Sequence, residues 1–200
     1  PGGARDPGTY RIDAGERLDV TSDGMYTITI DDLASATTSN YRMATIDIPD
    51  GLDPMTYVFG KASPAIGAAA GAFSASTYAD SSLPLREFEA ARYRIAQIND
   101  CQLCLTWRSE RGDVGPVGEE LYAEVEQWST AEGLSVRERL AAEYAERYAL
   151  DHRNLDADFW SRMRAEFTDD EIVELTLCMA QWLGLGRLNQ VLGIDVACTI

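Results

Sequence analysis

An all-α domain behind an extended N-terminal arm is the fold class this sequence predicts, on three observations. From Pro54 onward apolar residues recur at steps of three and four, the spacing of one buried helical face. Two capping boxes, Ser135-x-x-Glu138 and Thr168-x-x-Glu171, mark helix starts in the second half. Ahead of Pro54 the pattern has period two: Tyr26, Ile28 and Ile30 alternate with threonines just after the turn signal Thr21-Ser-Asp-Gly24. Residues 1–48 are therefore expected to form an arm with short β-strands, a possible hairpin that contacts neighbouring subunits or frays, and residues 49–200 the helical domain.

Each element follows from local chemistry. Pro1 to Gly8 is dense in glycine and proline and should be irregular. Tyr10 to Ile12, Arg17 to Val20 and Met25 to Ile30 read as strands, and Thr45 to Ile48 as a further extended piece ending at Pro49. Pro54 to Phe59 and Ala65 to Tyr78 form a first helical region, rich in alanine and glycine, that permits close approach. Pro84 then precedes a central helix whose Leu85, Phe88, Ala91, Ile95 and Ile98 share one face, with Arg86, Arg92 and Gln97 on the wetter side. Beyond the loop at 109–118, helices are expected over Glu119 to Trp128, Ser135 to Leu150, from Asp156 or Asp158 through Met163, and over Ile172 to Leu183. Gly184 and Gly186 should loosen the last one before Leu188 to Leu192.

Composition excludes several function classes. With 33 acidic against 17 basic residues the formal charge of the 200-residue chain is −16, a field that repels phosphate backbones and anionic membranes. No run of about 20 apolar residues exists, so no spanning helix is expected. Four cysteines are too few for a disulfide scaffold, and a C-x-x-C pair without a visible signal peptide points to intracellular, cytoplasmic redox or metal chemistry. The chain begins at Pro1, which leaves room for a removed targeting segment, and Met25 and Met43 are alternative translation starts within the arm.

The chemistry-bearing stretch is Glu89 to Arg108, EAARYRIAQINDCQLCLTWR. Asn99 or Asp100 is expected to break the central helix and cap a second one, with Gln102 placed for a capping box from Asn99. Cys101 and Cys104 then lie in a helical first turn, where free amides favour a thiolate, and three-residue spacing lets the sulfurs close a disulfide or act as attacking and resolving thiols. Arg108 falls one helical turn beyond Cys104, where its fixed positive charge would support that thiolate. A zinc site lacks local ligands, since Cys178, Cys198 and His152 are each isolated. His152 reads as a solvated surface residue, Cys178 as packing, and the four tryptophans as core or interface, with Trp107 also able to line a pocket. No metal or organic cofactor is expected.

Glu89, Cys101-Gln-Leu-Cys104 and the downstream Phe167-Thr-Asp-Asp-Glu-Ile-Val-Glu-Leu175 together resemble the carboxymuconolactone decarboxylase and AhpD-like alkylhydroperoxidase superfamily, over about Pro54 to Ile194. The resemblance implies an all-helical AhpD-like bundle that assembles as a homo-oligomer, a trimer or hexamer. It implies Cys104 as the peroxidatic thiol, Cys101 as the resolving thiol and Glu89 as proton acceptor if burial raises its pKa. The partners would be a hydroperoxide and an external dithiol reductant. An ordinary ion pair of Glu89 with Arg86 or Arg92 is the structural alternative. Arg108 stands where the family pattern has a histidine. Because arginine exchanges no proton near neutral pH, the expectation is electrostatic support of Cys104, with Arg108 pairing to Glu89, or else weakened activity. Two other functions stay open at this point: a lyase in which Glu89 and Arg108 handle a carboxylated substrate, and a non-catalytic oligomeric subunit with a residual redox motif.

Overall fold

The computed structural model describes the backbone of residues 8–11, 16–20, 25–30 and 39–42, and residues 44–112 and 115–194 in full. The arm carries a four-stranded antiparallel meander in sequential order: β1 (Gly8–Arg11), β2 (Glu16–Val20), β3 (Met25–Ile30) and β4 (Ser39–Arg42). Leu18 is paired with Ile28 and Val20 with Tyr26, so the alternation seen in the sequence sets the register. The turn signal at 21–24 and Cys198 lie outside the described residues.

From Pro54 to Leu192 the elements among the described residues are helices joined by loops. Asp53 caps a first turn, α1 (Pro54–Thr56), by accepting from the Thr56 amide at 2.8 Å, and the chain continues as a π-helical segment over Tyr57–Ala62. Then follow α2 (Pro64–Ala79), α3 (Leu85–Asn99), α4 (Gln102–Thr106), α5 (Glu119–Glu126) and α6 (Val136–Leu150). A 3₁₀ turn (His152–Asn154) leads to α7 (Ala157–Glu166) and α8 (Asp169–Leu192). Ser135 and Thr168 form the expected capping boxes and Asp156 caps α7. The segment Thr45 to Ile48 forms no strand. Instead Thr45 uses its amide and its hydroxyl to donate to the carbonyls of Leu192 and Val191, tying the chain before α1 to the end of α8.

The core is organised around α3, which packs against α5, α6 and α8. Eleven of its 15 residues are buried, including the polar Glu87, Glu89, Arg92 and Asn99. Arg92 therefore does not sit on a wet face: what would be the solvent side of a two-helix contact is covered here by further helices. Two glycines have specific packing roles. A Cβ on Gly67 would stand 1.9 Å from the Phe59 carbonyl oxygen, so only glycine lets α2 press on the π-helical segment. The anticipated loosening at Gly184 and Gly186 does not occur, because α8 runs unbroken through both. Gly186 instead gives the Asn99 amide access to α8, since a Cβ there would lie 2.6 Å from Asn99 Nδ2.

Candidate functional site

The two cysteines sit at the junction of α3 and α4, and the capping there differs from the expected pattern. Asp100 adopts φ 51°, a left-handed conformation that Asp tolerates, and ends α3. Its amide bonds the carbonyl of Gln97 and that of Cys101 the carbonyl of Ala96, the two bonds of a Schellman motif. Cys101 is itself the N-cap of α4, its Sγ accepting from the Cys104 amide at 3.4 Å. The capping box between Asn99 and Gln102 does not form, because Asn99 Nδ2 donates to the carbonyls of Trp182 and Leu183 at 3.2 and 3.3 Å.

The sulfurs have different surroundings. Cys101 is 0% exposed. Cys104 is partly exposed and lines a cavity of about 470 Å³. Met55 and Phe59 form one wall and Ser74, Ala75 and Tyr78 of α2 another; Arg92, Ile95 and Asn99 come from α3, and Gln181, Trp182, Gly186 and Asn189 from α8. At the rim stand Leu103 and Trp107, the latter 53% exposed and packed edge-on to Tyr78 with ring centroids 6.3 Å apart. Trp107 is thus a pocket residue, whereas Trp182 is core and pocket wall at once.

Beneath Cys104 lies a buried ion pair. Arg92, 2% exposed, donates from Nε and Nη2 to the Glu89 carboxylate at 2.6 and 2.8 Å, and Glu89 is 0% exposed. The same guanidinium donates to the carbonyls of Cys104 at 2.6 Å and Trp107 at 2.9 Å. A five-residue helix leaves its last carbonyls without amide partners, and here a buried arginine supplies the donors. Ser109 and Tyr122 complete the shell by donating hydroxyls to Glu89 at 2.6 and 2.7 Å. Burial pushes the Glu89 carboxyl upward, but the hydrogen bonds and charge of Arg92, with those of Ser109 and Tyr122, outweigh it and hold the group below the ordinary glutamate range. The condition set for Glu89 as proton acceptor, a carboxyl raised by burial, is therefore not met by this environment. Of the alternatives considered, the ion pair with Arg92 is the one formed.

Arg108 is also relocated. α4 stops at Thr106 because Trp107 turns extended at ψ 140°, so the helical spacing that would bring Arg108 over Cys104 is never completed. Its guanidinium grips Glu119 at 2.7 and 2.9 Å, lies 3.8 Å above the Tyr122 ring and donates to the Leu105 carbonyl. It pairs with Glu119 rather than Glu89, and it is not among the pocket-lining residues.

Tyr78, Gln181 and Asn189 are not expected in the site from the sequence, whereas Arg92 is expected only as an ion-pair partner of Glu89 and Asn99 only as a helix cap. Burial pushes the Tyr78 phenol well above its ordinary range; Arg92 pulls it down, and Cys104 and Glu89 push it further up. Tyr78 therefore stays an O–H donor in the pocket wall. No local signal marks Tyr78, Gln181 or Asn189. They meet only because α2, α3 and α8 pack together. His152 is exposed on its 3₁₀ turn and Cys178 is buried in α8, where burial pushes its thiol up to about 11. Among the described residues no three His, Cys, Asp or Glu side chains are grouped to hold a metal ion, and no helix is long and apolar enough to cross a membrane.

No family model matches the chain. Two uncharacterized proteins of Mycobacterium tuberculosis, from strains H37Rv and CDC 1551, are each 34% identical to it over 88 residues, which is 44% of this chain. The matched stretch is 31% of either relative, so the chain spans about a third of the length of these relatives.

Proposed function

We propose that this chain is a thiol-dependent hydroperoxidase or closely related disulfide oxidoreductase of the AhpD-like type, with Cys104 as attacking thiol and Cys101 as resolving thiol. The observation that carries the reading is the unequal placement of the two sulfurs. Cys104 faces a 470 Å³ pocket, while Cys101 is sealed beneath it with Sγ 3.4 Å from the Cys104 amide. The Cys104 thiolate attacks the O–O bond of a hydroperoxide; an S–O bond forms, the O–O bond breaks, and the departing alkoxide takes up a proton to leave as the alcohol. The Tyr78 phenol, held protonated, is a hydrogen-bond donor for that leaving oxygen. The Cys101 thiol then displaces hydroxide from the Cys104 sulfenic acid, giving the disulfide and water, and an external dithiol restores both thiols as it is oxidised to its own disulfide.

Glu89 is a positioning residue in this scheme. It fixes Arg92, and Arg92 fixes the carbonyls on either side of the turn that presents Cys104. The lyase alternative needs Arg108 in the pocket, and its engagement with Glu119 outside the lining favours the thiol reading. We also place the protein in the cytoplasm, where dithiol reductants are available, and as a homo-oligomer. Val173, Leu177 and Val191 of α8 and Ile66 and Phe73 of α2 project into solvent and provide apolar surface for a second copy. Light scattering at micromolar concentration should give a multiple of the chain mass, and a monomer there would remove the assembly claim. The activity test is peroxide turnover with dithiothreitol as reductant. Cys104→Ser should abolish it, and turnover that survives in that variant would overturn the assignment.

A further inference from the structure

The cavity in front of Cys104 is far larger than hydrogen peroxide needs. Its volume of about 470 Å³ compares with roughly 30 Å³ for one water in the liquid, so it has room for a body an order of magnitude larger than the O–O group alone. The cavity is also held open. Because a Cβ on Gly67 would already collide with the Phe59 carbonyl, the Met55 and Phe59 wall stands as close to α2 as the backbones allow and cannot collapse further toward it. On the α2 side the space is made by Gly71 and Ala75, one helical turn apart and both exposed. A Cβ built on Gly71 meets nothing within 4 Å, so no side chain among the described residues fills the room in front of it.

The lining restricts what can occupy this room. Arg92 is its one charged residue, and that guanidinium is buried and already engaged by Glu89 and two carbonyls. The side-chain oxygens of Asn99, Gln181 and Asn189 are shut off from solvent, so these carboxamides offer an occupant no acceptor. What an occupant meets is the Cys104 sulfur, the Tyr78 side chain and the apolar surface of Met55, Phe59, Leu103 and Trp107. An anionic group would leave water here without a counter-charge, in the field of a chain with a formal charge of −16.

We propose that this cavity selects uncharged hydroperoxides with an aryl or branched alkyl body, rejects their carboxylated analogues, and owes its capacity to Gly71 and Ala75. The identification of the occupant as substrate rests on the thiol-peroxidase reading of the same site; the binding of the uncharged body does not. Leucine at both α2 positions fills the space with a side chain that helices favour, so it removes the room without weakening the helix that provides it.

The first arm of the test is calorimetric titration of the reduced full chain with cumyl alcohol, the unreactive product of cumene hydroperoxide, and separately with its para-carboxylate. The alcohol should bind with a submillimolar Kd and the carboxylate about tenfold more weakly or worse. Gly71→Leu/Ala75→Leu, checked for native helical content by circular dichroism, should weaken the alcohol by about tenfold or more. The second arm times peroxide-driven loss of the Cys104 thiol. The rate ratio of cumene hydroperoxide to hydrogen peroxide should exceed that of free cysteine and fall by about tenfold in the double variant, a change of ratio that a merely destabilised fold does not produce. No alcohol binding at millimolar concentration, a carboxylate bound as tightly as the alcohol, or unchanged binding in the double variant would each overturn the site. Thiol oxidation by both peroxides without alcohol binding would remove this inference and leave the peroxidase reading. Selective binding with no oxidation by either peroxide would leave the site standing and remove the peroxidase reading alone.

Discussion

Replacing Arg92 by methionine probes the ion pair under Cys104 most severely. The substitution nearly conserves side-chain volume but strips two donors from Glu89 and one each from the carbonyls of Cys104 and Trp107. Glu89 would keep only the hydroxyls of Ser109 and Tyr122 while remaining 0% exposed. Removing one member of a buried pair costs about 3–5 kcal/mol because the other charge stays buried and uncompensated. That is a large share of a typical domain stability of about 5–15 kcal/mol. Glu89→Leu alone should be costly for the mirror reason, leaving the Arg92 charge without its counter-ion. The double variant Glu89→Leu/Arg92→Met removes both charges and should recover much of the loss, giving a coupling energy of about 2–3 kcal/mol. Urea titration at pH 7, with the midpoints and slopes of all four proteins, measures this cycle. If Arg92→Met lost less than about 1 kcal/mol, or if the single losses simply added, the pair would not be the support we describe.

Acid should destabilise the fold through the same pair. Glu89, Glu138 and Glu174 all have carboxyls held below the ordinary range, because hydrogen-bond donors around each outweigh the upward push of burial. Unfolded glutamates would then bind protons that folded ones refuse, so stability is complete above the unfolded value of about 4.3 and is lost as pH falls below it; a melting temperature that stays flat from pH 6 to pH 3 contradicts this. Glycine replacements should split in sign. Gly67→Ala drives a Cβ into the Phe59 carbonyl and should cost about 1–3 kcal/mol, whereas Gly184→Ala has open space around it in mid-helix and should gain about 0.5–1 kcal/mol; thermal melts that moved together would refute the packing argument. Arg108→Ala should leave the rate of peroxide-driven thiol loss within a few-fold of the parent, since Arg108 holds Glu119 rather than Cys104, and a collapse of that rate would return Arg108 to the site.

What was legible in the sequence is what local chemistry decides. The capping boxes at Ser135 and Thr168, the cap at Asp156, the hairpin alternation around Ile28 and the placement of Cys101 and Cys104 in one helical turn all depend on neighbours a few residues apart. What escaped depends on distant packing. Arg92 reads as a wet residue until α5, α6 and α8 are known to close around α3. Arg108 reads as a neighbour of Cys104 until the helix stops two residues earlier, a stop stabilised by arginines donating to its terminal carbonyls. Gly186 reads as a helix breaker, although its use is to admit the Asn99 amide. The site residues that had no local signal, Tyr78, Gln181 and Asn189, are those supplied by other helices.

The central claim is that Cys101 and Cys104 form a working redox centre, and peptide mass spectrometry tests it most directly. The fully reduced protein is mixed with one equivalent of cumene hydroperoxide, quenched by alkylation at times from a second upward, and digested. The account predicts that a Cys101 to Cys104 linkage accumulates within seconds, ahead of any change at Cys178, and that Cys101→Ser instead traps Cys104 as a sulfenic acid. Slow oxidation spread over Cys101, Cys104 and Cys178 alike would contradict it.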